Sequence, residues 1–254
     1  MLKKDSPFGL NESPGPARRE SVLNAAESLF SKHGFDGVTV RQVAKLAGVD
    51  VALPNYYFGS KRGLFNAVFA RRAAAINHLR GLRLDAILQN KSEIDALKVR
   101  DILWAFVSPV AEAQASHDPG WGHYCRLVAQ VNSSSIWSKM MTQHFDAIIL
   151  RFIEALKLAL PTLSEKDIFW AYHFLSGSLT LSMAATGRID TLSHNLCRSD
   201  DAVEVYDRLI GFFASAYEAL ARPSETSAPN EPTPVDPPRP ARSPVTNGPA
   251  SDQK

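Results

Sequence analysis

Cysteine and long apolar runs are scarce in this chain. Its 254 residues include only two cysteines, Cys125 and Cys197, which do not form the CxxC pair typical of zinc fingers. No uninterrupted apolar run reaches the roughly 18 residues that cross a bilayer, and the N-terminus lacks the basic-then-apolar order of a secretory signal. The sequence therefore predicts a cytoplasmic protein without a disulfide framework or a membrane segment.

Patterns typical of β-sheets and of common enzymes are also missing. No alternating apolar and polar stretch of useful length indicates a strand, and no glycine-rich loop could hold a phosphate. The best candidates for catalysis or metal binding are His123, Cys125, His144 and His173, which lack the HxxxH or CxxC spacing of metal ligands. We therefore expect no catalytic residue, no metal and no cofactor, with a helical enzyme or metalloprotein as the alternative.

Proline and glycine are concentrated at the two ends. Residues 1–17 contain three prolines and two glycines, and nine of the sixteen prolines lie between Pro223 and Pro249. Proline interrupts helices, and both segments have few large apolar side chains whose burial could offset the chain entropy lost on folding. We expect a disordered arm over residues 1–17 and a disordered tail over residues 222–254.

Between these ends the apolar residues follow helical spacing almost throughout, and the positive charge is uneven. Residues 18–72 contain nine Lys or Arg against four Asp or Glu, whereas residues 73–221 contain thirteen against sixteen. A local excess of positive charge indicates a polyanionic partner for that part of the chain alone. We expect two all-α domains, over residues 18–80 and 81–221.

Two of the four helices expected in the first domain form a helix-turn-helix. The first helix ends near Gly34, and the second begins at Thr39, which has the capping-box spacing to Gln42. After the turn at residues 47–49, Asp50 caps a short third helix, the one that enters the DNA major groove in helix-turn-helix proteins. On spacing alone, an ordinary helical hairpin is the alternative.

Read as a whole, this segment resembles the TetR family. The resemblance rests on Ala25-Ala26-Glu27-Ser28-Leu29-Phe30, Gly34-Phe35, residues 39–44, Ala47-Gly48-Val49 and residues 55–61. It implies an all-α homodimer with a three-helix helix-turn-helix domain and a helical ligand-binding and dimerisation domain, about nine helices in all. It also implies two recognition helices in successive major grooves of a pseudo-palindromic operator, released by a small effector.

The resemblance assigns DNA contacts to eight residues. They are Thr39, Arg41 and Lys61 at phosphates, Val51, Ala52 and Leu53 at base edges, and Tyr56 and Tyr57 at the backbone or bases. Because the three base-edge residues are apolar, direct readout would be limited to thymine methyls. Pro54 departs from the family pattern, since a proline in the middle of the recognition helix removes a backbone donor and disfavours helix at Leu53.

Five further helices are expected, at about residues 92–115, 121–132, 136–160, 164–185 and 200–221. The resemblance implies that the last two pair with their twins in a four-helix dimer interface. The candidate interface residues are Phe174, Gly177, Leu181, Leu209 and Phe213. The alternative is that these side chains belong to the core of one chain.

Aromatic and methionine residues suit an apolar effector pocket in the second domain. The candidates are Trp104, Tyr124, Met141, Phe145 and Trp170, with Arg126 as the partner of an acidic effector. The alternatives are that the aromatic residues are ordinary core and that Arg126 shares a solvated face with His123 and Gln130. Residues 123–127 and 169–174 faintly resemble TetR-like regulators of fatty-acid metabolism, which would imply an acyl or acyl-CoA-like effector.

These features together predict a ligand-responsive DNA-binding regulator, a repressor that acts as a homodimer on double-stranded DNA. A helical scaffold that neither binds DNA nor senses a ligand is a further alternative. It would leave the excess of positive charge beside the helix-turn-helix without an explanation.

Overall fold

The computed structural model describes residues 15–89, 97–116 and 118–222, and every regular element in these ranges is helical. The helices are α1 (Pro16–His33), α2 (Val40–Ala47), α3 (Leu53–Phe58), α4 (Lys61–Gln89), α5 (Val99–Ala115), α6 (Pro119–Asn132), a 3₁₀ turn (Ser135–Trp137), α7 (Ser138–Ala159), α8 (Glu165–Ala184), α9 (Arg188–Leu192) and α10 (Ala202–Ala221). The predicted all-α fold class is confirmed. In these ranges no helix combines the length and the apolar character that crossing a membrane requires.

Besides α3, which is described below, three helices differ from the expected ones. The five-residue α9 falls in a stretch read as a connection and raises the number from about nine to ten. α1 begins at Pro16, inside the expected disordered arm, because the fixed φ and missing N–H of proline suit the first position of a helix. α5 begins at Val99. Residues 1–14 of the expected arm, residues 223–254 of the expected tail, and residues 90–96 lie outside the described residues.

The capping box predicted at the start of α2 is confirmed. The Thr39 Oγ1 accepts a hydrogen bond from the Gln42 backbone N–H at 3.2 Å, and the Gln42 Oε1 accepts one from the Thr39 N–H at 2.7 Å. α2 ends at Gly48, whose φ of 66° is left-handed, a conformation that glycine adopts without strain. The sequence thus fixes both ends of α2 through local contacts.

The helix α3, which was expected to be the recognition helix, begins later than expected, at Leu53. The Asp50 carboxylate accepts a hydrogen bond from the Ala52 N–H at 2.8 Å and so closes a turn before the helix instead of capping it. Pro54 then occupies the second helical position, where no N–H has an intrahelical acceptor. Pro54, which was expected in the middle of the helix with the loss of one backbone donor, therefore lies in its first turn and costs no intrahelical hydrogen bond, and the proline is buried in the fold.

The 29-residue α4 joins the two expected domains. It packs on α1 and α3 of the first expected domain and on α5 and α7 of the second, and α7 contacts it from Asn66 near its start to Asp85 near its end. Phe65 and Phe69 are buried near its start, and Leu84 is buried near its end. The domain boundary expected at residue 80 therefore falls inside one continuous helix, whose two halves contribute to one connected apolar core.

A network of ion pairs connects α1, α4 and α6. Glu27 on α1 is only 2% exposed, and its carboxylate accepts hydrogen bonds from the Arg72 Nε at 2.7 Å and Nη2 at 3.0 Å. The Arg72 Nη1 also donates to the Asp118 carboxylate at 2.8 Å. Asp118 caps α6 by accepting from the Gly120 N–H, and the guanidinium and this amide together lower the pKa of the Asp118 carboxyl. Arg71 contributes a further ion pair to Glu27.

The close approach of Arg72 to α6 requires glycine at residue 120. A Cβ at Gly120 would lie 1.8 Å from the Arg72 Nη2 and 2.7 Å from the Glu27 Oε2. The guanidinium cannot move aside without losing bonds to Glu27 or Asp118, and leaving buried charges with fewer partners is destabilising. Gly122, two residues further along α6, has its nearest such neighbour at 3.9 Å.

We therefore expect Gly120→Ala to lower the free energy of unfolding by about 1–3 kcal/mol, the usual cost of overpacking. Gly122→Ala is the matched control, and it should leave the free energy unchanged or raise it slightly, because alanine favours helix over glycine. Urea unfolding followed by circular dichroism measures both. Equal losses in the two variants would show that the contact with Arg72 is not responsible.

Candidate nucleic-acid interface and internal cavity

The start of α2 brings two candidate phosphate-binding residues to the surface. Thr39 and Arg41 are both exposed, and Arg41 lies in the first turn of α2. The Thr39 hydroxyl is held by the capping box, which leaves its position fixed relative to the helix. Backbone N–H groups at a helix N-terminus and a nearby cation both attract phosphate, so this end of α2 suits contact with a nucleic-acid backbone.

The candidate base-reading residues lie in two different local structures. Val51 and Ala52 are exposed, but they belong to the turn before α3 and not to the helix. Leu53 begins α3 and is half-buried, whereas Tyr56 on the next turn is largely exposed. The recognition surface is therefore an exposed apolar turn followed by a tyrosine. Sequence spacing could not reveal this division, because it depends on where α3 begins.

Tyr57 and Lys61 are partly engaged in contacts within the chain. The Tyr57 hydroxyl lies 3.5 Å from the Gly15 carbonyl oxygen, and the Lys61 Nζ lies 4.4 Å from the centre of the Phe35 ring. The cation–π contact holds the Lys61 ammonium beside the N-terminus of α4. Both side chains are half-buried, so each retains an accessible part.

The first domain keeps an excess of positive charge when the arginines in internal ion pairs are set aside. Arg71 and Arg72 are engaged by acidic residues, among them Glu20 and Glu27. The other seven cations of residues 18–72 are then opposed only by two acidic residues of that range. These seven cations are Arg18, Arg19, Lys32, Arg41, Lys45, Lys61 and Arg62, and the two acidic residues are Asp36 and Asp50. The first domain therefore still has the local charge that a polyanion needs.

An internal cavity lies among α4, α5, α6, α7 and α8. Its volume is about 40 Å³, and its walls include three of the candidate pocket residues, Tyr124, Met141 and Phe145. Trp104 and Trp170 do not line it, since they are 47% and 52% exposed. Trp104 instead lies under the Arg83 guanidinium, and Trp170 stacks on Phe174 along the outer side of α8.

Arg80 also lines this cavity, and it was not among the candidates derived from the sequence. It is only 4% exposed, and its Nε donates a hydrogen bond to the Phe106 carbonyl oxygen at 2.8 Å. Burial lowers the pKa of the guanidinium to about 10. The signal that could have revealed it is its spacing of four residues from both Ile76 and Leu84, which are buried on the same side of α4.

A surface groove of about 640 Å³ runs between α6 and α8 and contains Arg126 and His173. Arg126 therefore lies outside the internal cavity, and it forms no ion pair with a residue that the structure describes. The Asn132 Nδ2 donates a hydrogen bond to the Thr180 Oγ1 at 2.7 Å, and both residues line the groove and the cavity alike. This bond therefore lies where the two spaces meet.

The face of α6 that carries Arg126 is not uniformly solvated. The Gln130 Nε2 donates a hydrogen bond to the Ser31 carbonyl oxygen on α1 at 3.0 Å. His123 is half-buried, and its burial, together with the Arg126 cation, lowers the pKa of the imidazole. Of His123, Arg126 and Gln130, it is therefore Gln130 that links the second domain to the first.

The candidate dimer residues divide between a surface and a core. Phe174, Gly177 and Leu181 form an exposed stripe along α8. Leu209 and Phe213 are buried, because α10 packs that side against α5 within the chain. For these two residues the structure therefore agrees with the alternative, in which they belong to the core of one chain. The apolar side chains that α10 exposes are Val203, Phe212 and Leu220.

The residues considered for catalysis or metal binding are not assembled into a site. Within the described ranges, no group of three or more His, Cys, Asp or Glu side chains is arranged to hold a metal ion. Cys125 is buried, which raises the pKa of its thiol to about 12 and makes the thiolate scarce. The His144 Nε2 is 3.0 Å from the Asn66 Oδ1, an ordinary hydrogen bond between α7 and α4.

Two family models match the chain. Residues 22–68 match the model described as bacterial regulatory proteins of the tetR family, and residues 104–216 match the tetracyclin repressor-like C-terminal domain. Together the matches span more than half of the chain, and the first includes all of α2 and α3. The chain belongs to the TetR family of helix-turn-helix transcriptional regulators, a family of regulators and not of enzymes.

Curated relatives are similar to this chain over short segments. The transcriptional repressor NicS from Pseudomonas putida is 37% identical over 78 residues, which are 30% of this chain and 37% of NicS. The transcriptional regulator RutR from Escherichia coli K12 is 44% identical over 52 residues, which are 20% of this chain and 24% of RutR. The chain thus spans about a third or less of the length of these relatives.

Solved structures share the fold over most of the chain. A TetR-family regulator from Shewanella sp. PV-4 has a TM-score of 0.52 at 18% identity, over 78% of this chain and 97% of that one. A transcriptional regulator from Pseudomonas aeruginosa PAO1 has a TM-score of 0.52 at 18% identity, over 83% and 96%. The fatty acid degradation regulator FadR from Bacillus halodurans, with a TM-score of 0.48, is too distant to indicate an effector.

We expect Arg41→Ala and Lys61→Ala to weaken binding to operator and random DNA alike, because contacts to phosphate carry affinity but no sequence information. In a plot of the logarithm of the affinity against the logarithm of the salt concentration, each variant should have a slope that is shallower by about one unit. Fluorescence anisotropy over a salt series measures this, with Lys166→Ala on α8 as the control. An unchanged slope would remove the tested residue from the phosphate contacts.

Proposed function

We propose that the protein is a repressor that binds a pseudo-palindromic operator as a homodimer and releases it when a small effector binds between α4 and α8. The observation that carries this proposal is the exposed, basic helix-turn-helix, which is joined by ion pairs to the helix that forms one wall of the internal cavity. In this proposal residues 18–80 bind DNA, and residues 81–221 bind the effector and the partner subunit.

The DNA-binding surface would consist of the start of α2, the turn before α3 and the exposed side of α3. Arg41 and Lys61 would contact phosphates on either side of the recognition surface. Val51 and Ala52 offer no hydrogen-bonding side chain, so they would contact thymine methyls in the major groove. Tyr56 would supply the polar contact, because its hydroxyl both donates and accepts.

The dimer would form through the exposed stripe of α8 and the outer side of α10. An exposed apolar patch of this kind on one chain marks an interaction surface. A two-fold arrangement would place the same stripe of each subunit against its twin. It would also present two recognition helices to two half-sites, as a pseudo-palindromic operator requires.

The effector would act through α6. Ligand binding releases DNA only if the ligand prefers a conformation whose recognition helices no longer match the half-sites. Tyr124 and Asn132 place α6 in the cavity wall, while Asp118 and Gln130 bond α6 to α4 and α1. A ligand that displaces α6 would therefore shift the helices that position the helix-turn-helix.

A gel shift with the DNA that flanks the gene for this protein tests the regulatory function. A specific complex, competed by the same DNA and not by random DNA, is the expected result. A helical scaffold would give no complex, and a general nucleic-acid binder would lose its complex to either competitor. The half-site spacing in the protected DNA would then show whether two recognition helices bind together.

The dimer interface leads to a further prediction. Phe174→Asp should convert the dimer to a monomer and weaken operator binding strongly, because a charge would be buried against its twin. Phe174 is 59% exposed on the single chain. The matched control is Ile136→Asp, because Ile136 lies between α6 and α7, outside the proposed interface, and is 74% exposed. Size-exclusion chromatography with light scattering measures the mass. A dimer that persists in Phe174→Asp would place the interface elsewhere.

A further inference from the structure

We propose that Arg80 binds the carboxylate of an acidic effector whose apolar part occupies the internal cavity. This inference rests on the proposed function and names the chemical class of its effector. It also moves the acid-binding role from Arg126, in the surface groove, to a residue inside the fold.

The first argument is the burial of a cation without a counterion. Arg80 is almost completely buried, and no carboxylate among the described residues forms an ion pair with it. Its strongest electrostatic neighbours are the phenol groups of Tyr124 and Tyr172 and the Cys125 thiol, which are neutral at ordinary pH. The guanidinium also lies over the Phe106 ring, 4.1 Å from its centre, but an aromatic ring does not neutralise the charge. Buried charges in proteins are normally paired with an opposite charge, so a buried cation without a counterion at a cavity calls for an anion.

The second argument is the number of donors that the fold leaves available. A guanidinium has five N–H donors in a planar fork. The Arg80 Nε donates to the Phe106 carbonyl oxygen at 2.8 Å, and Nη1 makes a long contact of 3.4 Å with the Asn77 Oδ1. No described residue accepts a hydrogen bond from Nη2. The side chain is thus held in place on one side, with donors available for a carboxylate on the other.

The walls of the cavity define the rest of the ligand. Beside Arg80 they are mainly aromatic and aliphatic, and the polar groups are few. The lining includes Ile76, Phe106, Val110, Tyr124, Met141, Phe145, Ile149, Tyr172, Leu179 and Met183. A compact ring or short chain with one acidic end matches this lining. The present volume of about 40 Å³ is close to that of a single water, so a ligand must displace flexible side chains such as the two methionines.

The groove between α6 and α8 offers the access path. Asn132 and Thr180 line both the groove and the cavity, and the hydrogen bond between them lies where the two spaces meet. Arg126 in the groove would attract an anion from solvent, and Arg80 would hold it inside. In this proposal the effector enters where this bond breaks, at the end of α6, the helix whose N-terminal cap Asp118 is bonded to Arg72.

The test measures the thermal stability of the full-length protein with benzoate, phenylacetate and hexanoate, each beside its uncharged amide. The carboxylates should raise the melting temperature of the wild type, and the amides should not, because only the acids can pair with the guanidinium. Failure of all three acids, or equal effects of acid and amide, would overturn the proposal. This comparison requires no variant.

Arg80→Met then locates the site, with Arg126→Met as the matched control. Binding of the active acid should be roughly ten- to hundredfold weaker in Arg80→Met, since charge-assisted hydrogen bonds are lost. In Arg126→Met the affinity should be nearly unchanged, with slower association at most. Equal affinity in Arg80→Met and the wild type, or a loss confined to Arg126→Met, would assign the anion to the groove.

The stability of the ligand-free variant separates a binding role from a structural one. Replacement of an unpaired buried cation by an apolar side chain of similar volume should leave the melting temperature unchanged or higher. A large fall would show that the bond to Phe106 is the role of Arg80. If Arg80→Met does not fold, Arg80→Lys keeps the charge but not the fork, and it should retain the preference for acid over amide with weaker binding.

Operator binding distinguishes failure of this inference from failure of the proposed function. A protein that binds its flanking DNA but no carboxylate contradicts only the role of Arg80. A protein that binds carboxylates through Arg80 but no DNA retains the anion site and contradicts the regulatory function. The expected result is that an acid that raises the melting temperature also releases the wild-type protein from DNA. The same acid should leave the Arg80→Met variant bound to DNA.

Discussion

The ion pairs of Arg72 with Glu27 and Asp118 are the constraint on which the remainder of the structure depends. A carboxylate as buried as Glu27 is tolerable only while cations contact it, so α1 and α4 cannot separate without exposing or isolating charge. The same guanidinium bonds to Asp118 at the first turn of α6, which fits closely because residue 120 has no side chain. The placement of the helix-turn-helix is thereby tied to α6.

α6 is in contact with each part of the protein that a regulator must coordinate. Its start contacts the ion pairs, Gln130 bonds to α1, and Asn132 at its end lines both the groove and the cavity. These contacts are specific polar bonds, which are either made or broken, and not gradual changes of packing. A shift of α6 would therefore change the contacts at α1 and α4 in a stepwise manner, as coupling between two sites requires.

The features that could be predicted from the sequence are those determined within a few residues. The capping box needs only Thr39 and Gln42, and the TetR-like pattern is a contiguous motif that reveals the fold class. The position of α3 depended on whether Asp50 caps a helix or closes a turn, and spacing cannot decide between the two. The burial of Leu209 could not be predicted from the sequence, because α10 has apolar residues on two sides. Only its packing on α5 determines which of these two sides is buried.

Arg80 was missed because its chemistry depends on distant partners. The acceptor of its main hydrogen bond lies 26 residues away, and no local pattern shows that other side chains close over it.

Pro54, in contrast, acts through its own backbone, because its ring restricts its φ angle whatever its neighbours are. A helix of six residues would unwind readily in isolation, but this proline fixes one φ angle in advance, and its burial anchors the turn. In the proposed DNA complex, α3 would therefore lose little conformational freedom on docking, and the entropic penalty of binding would be correspondingly small.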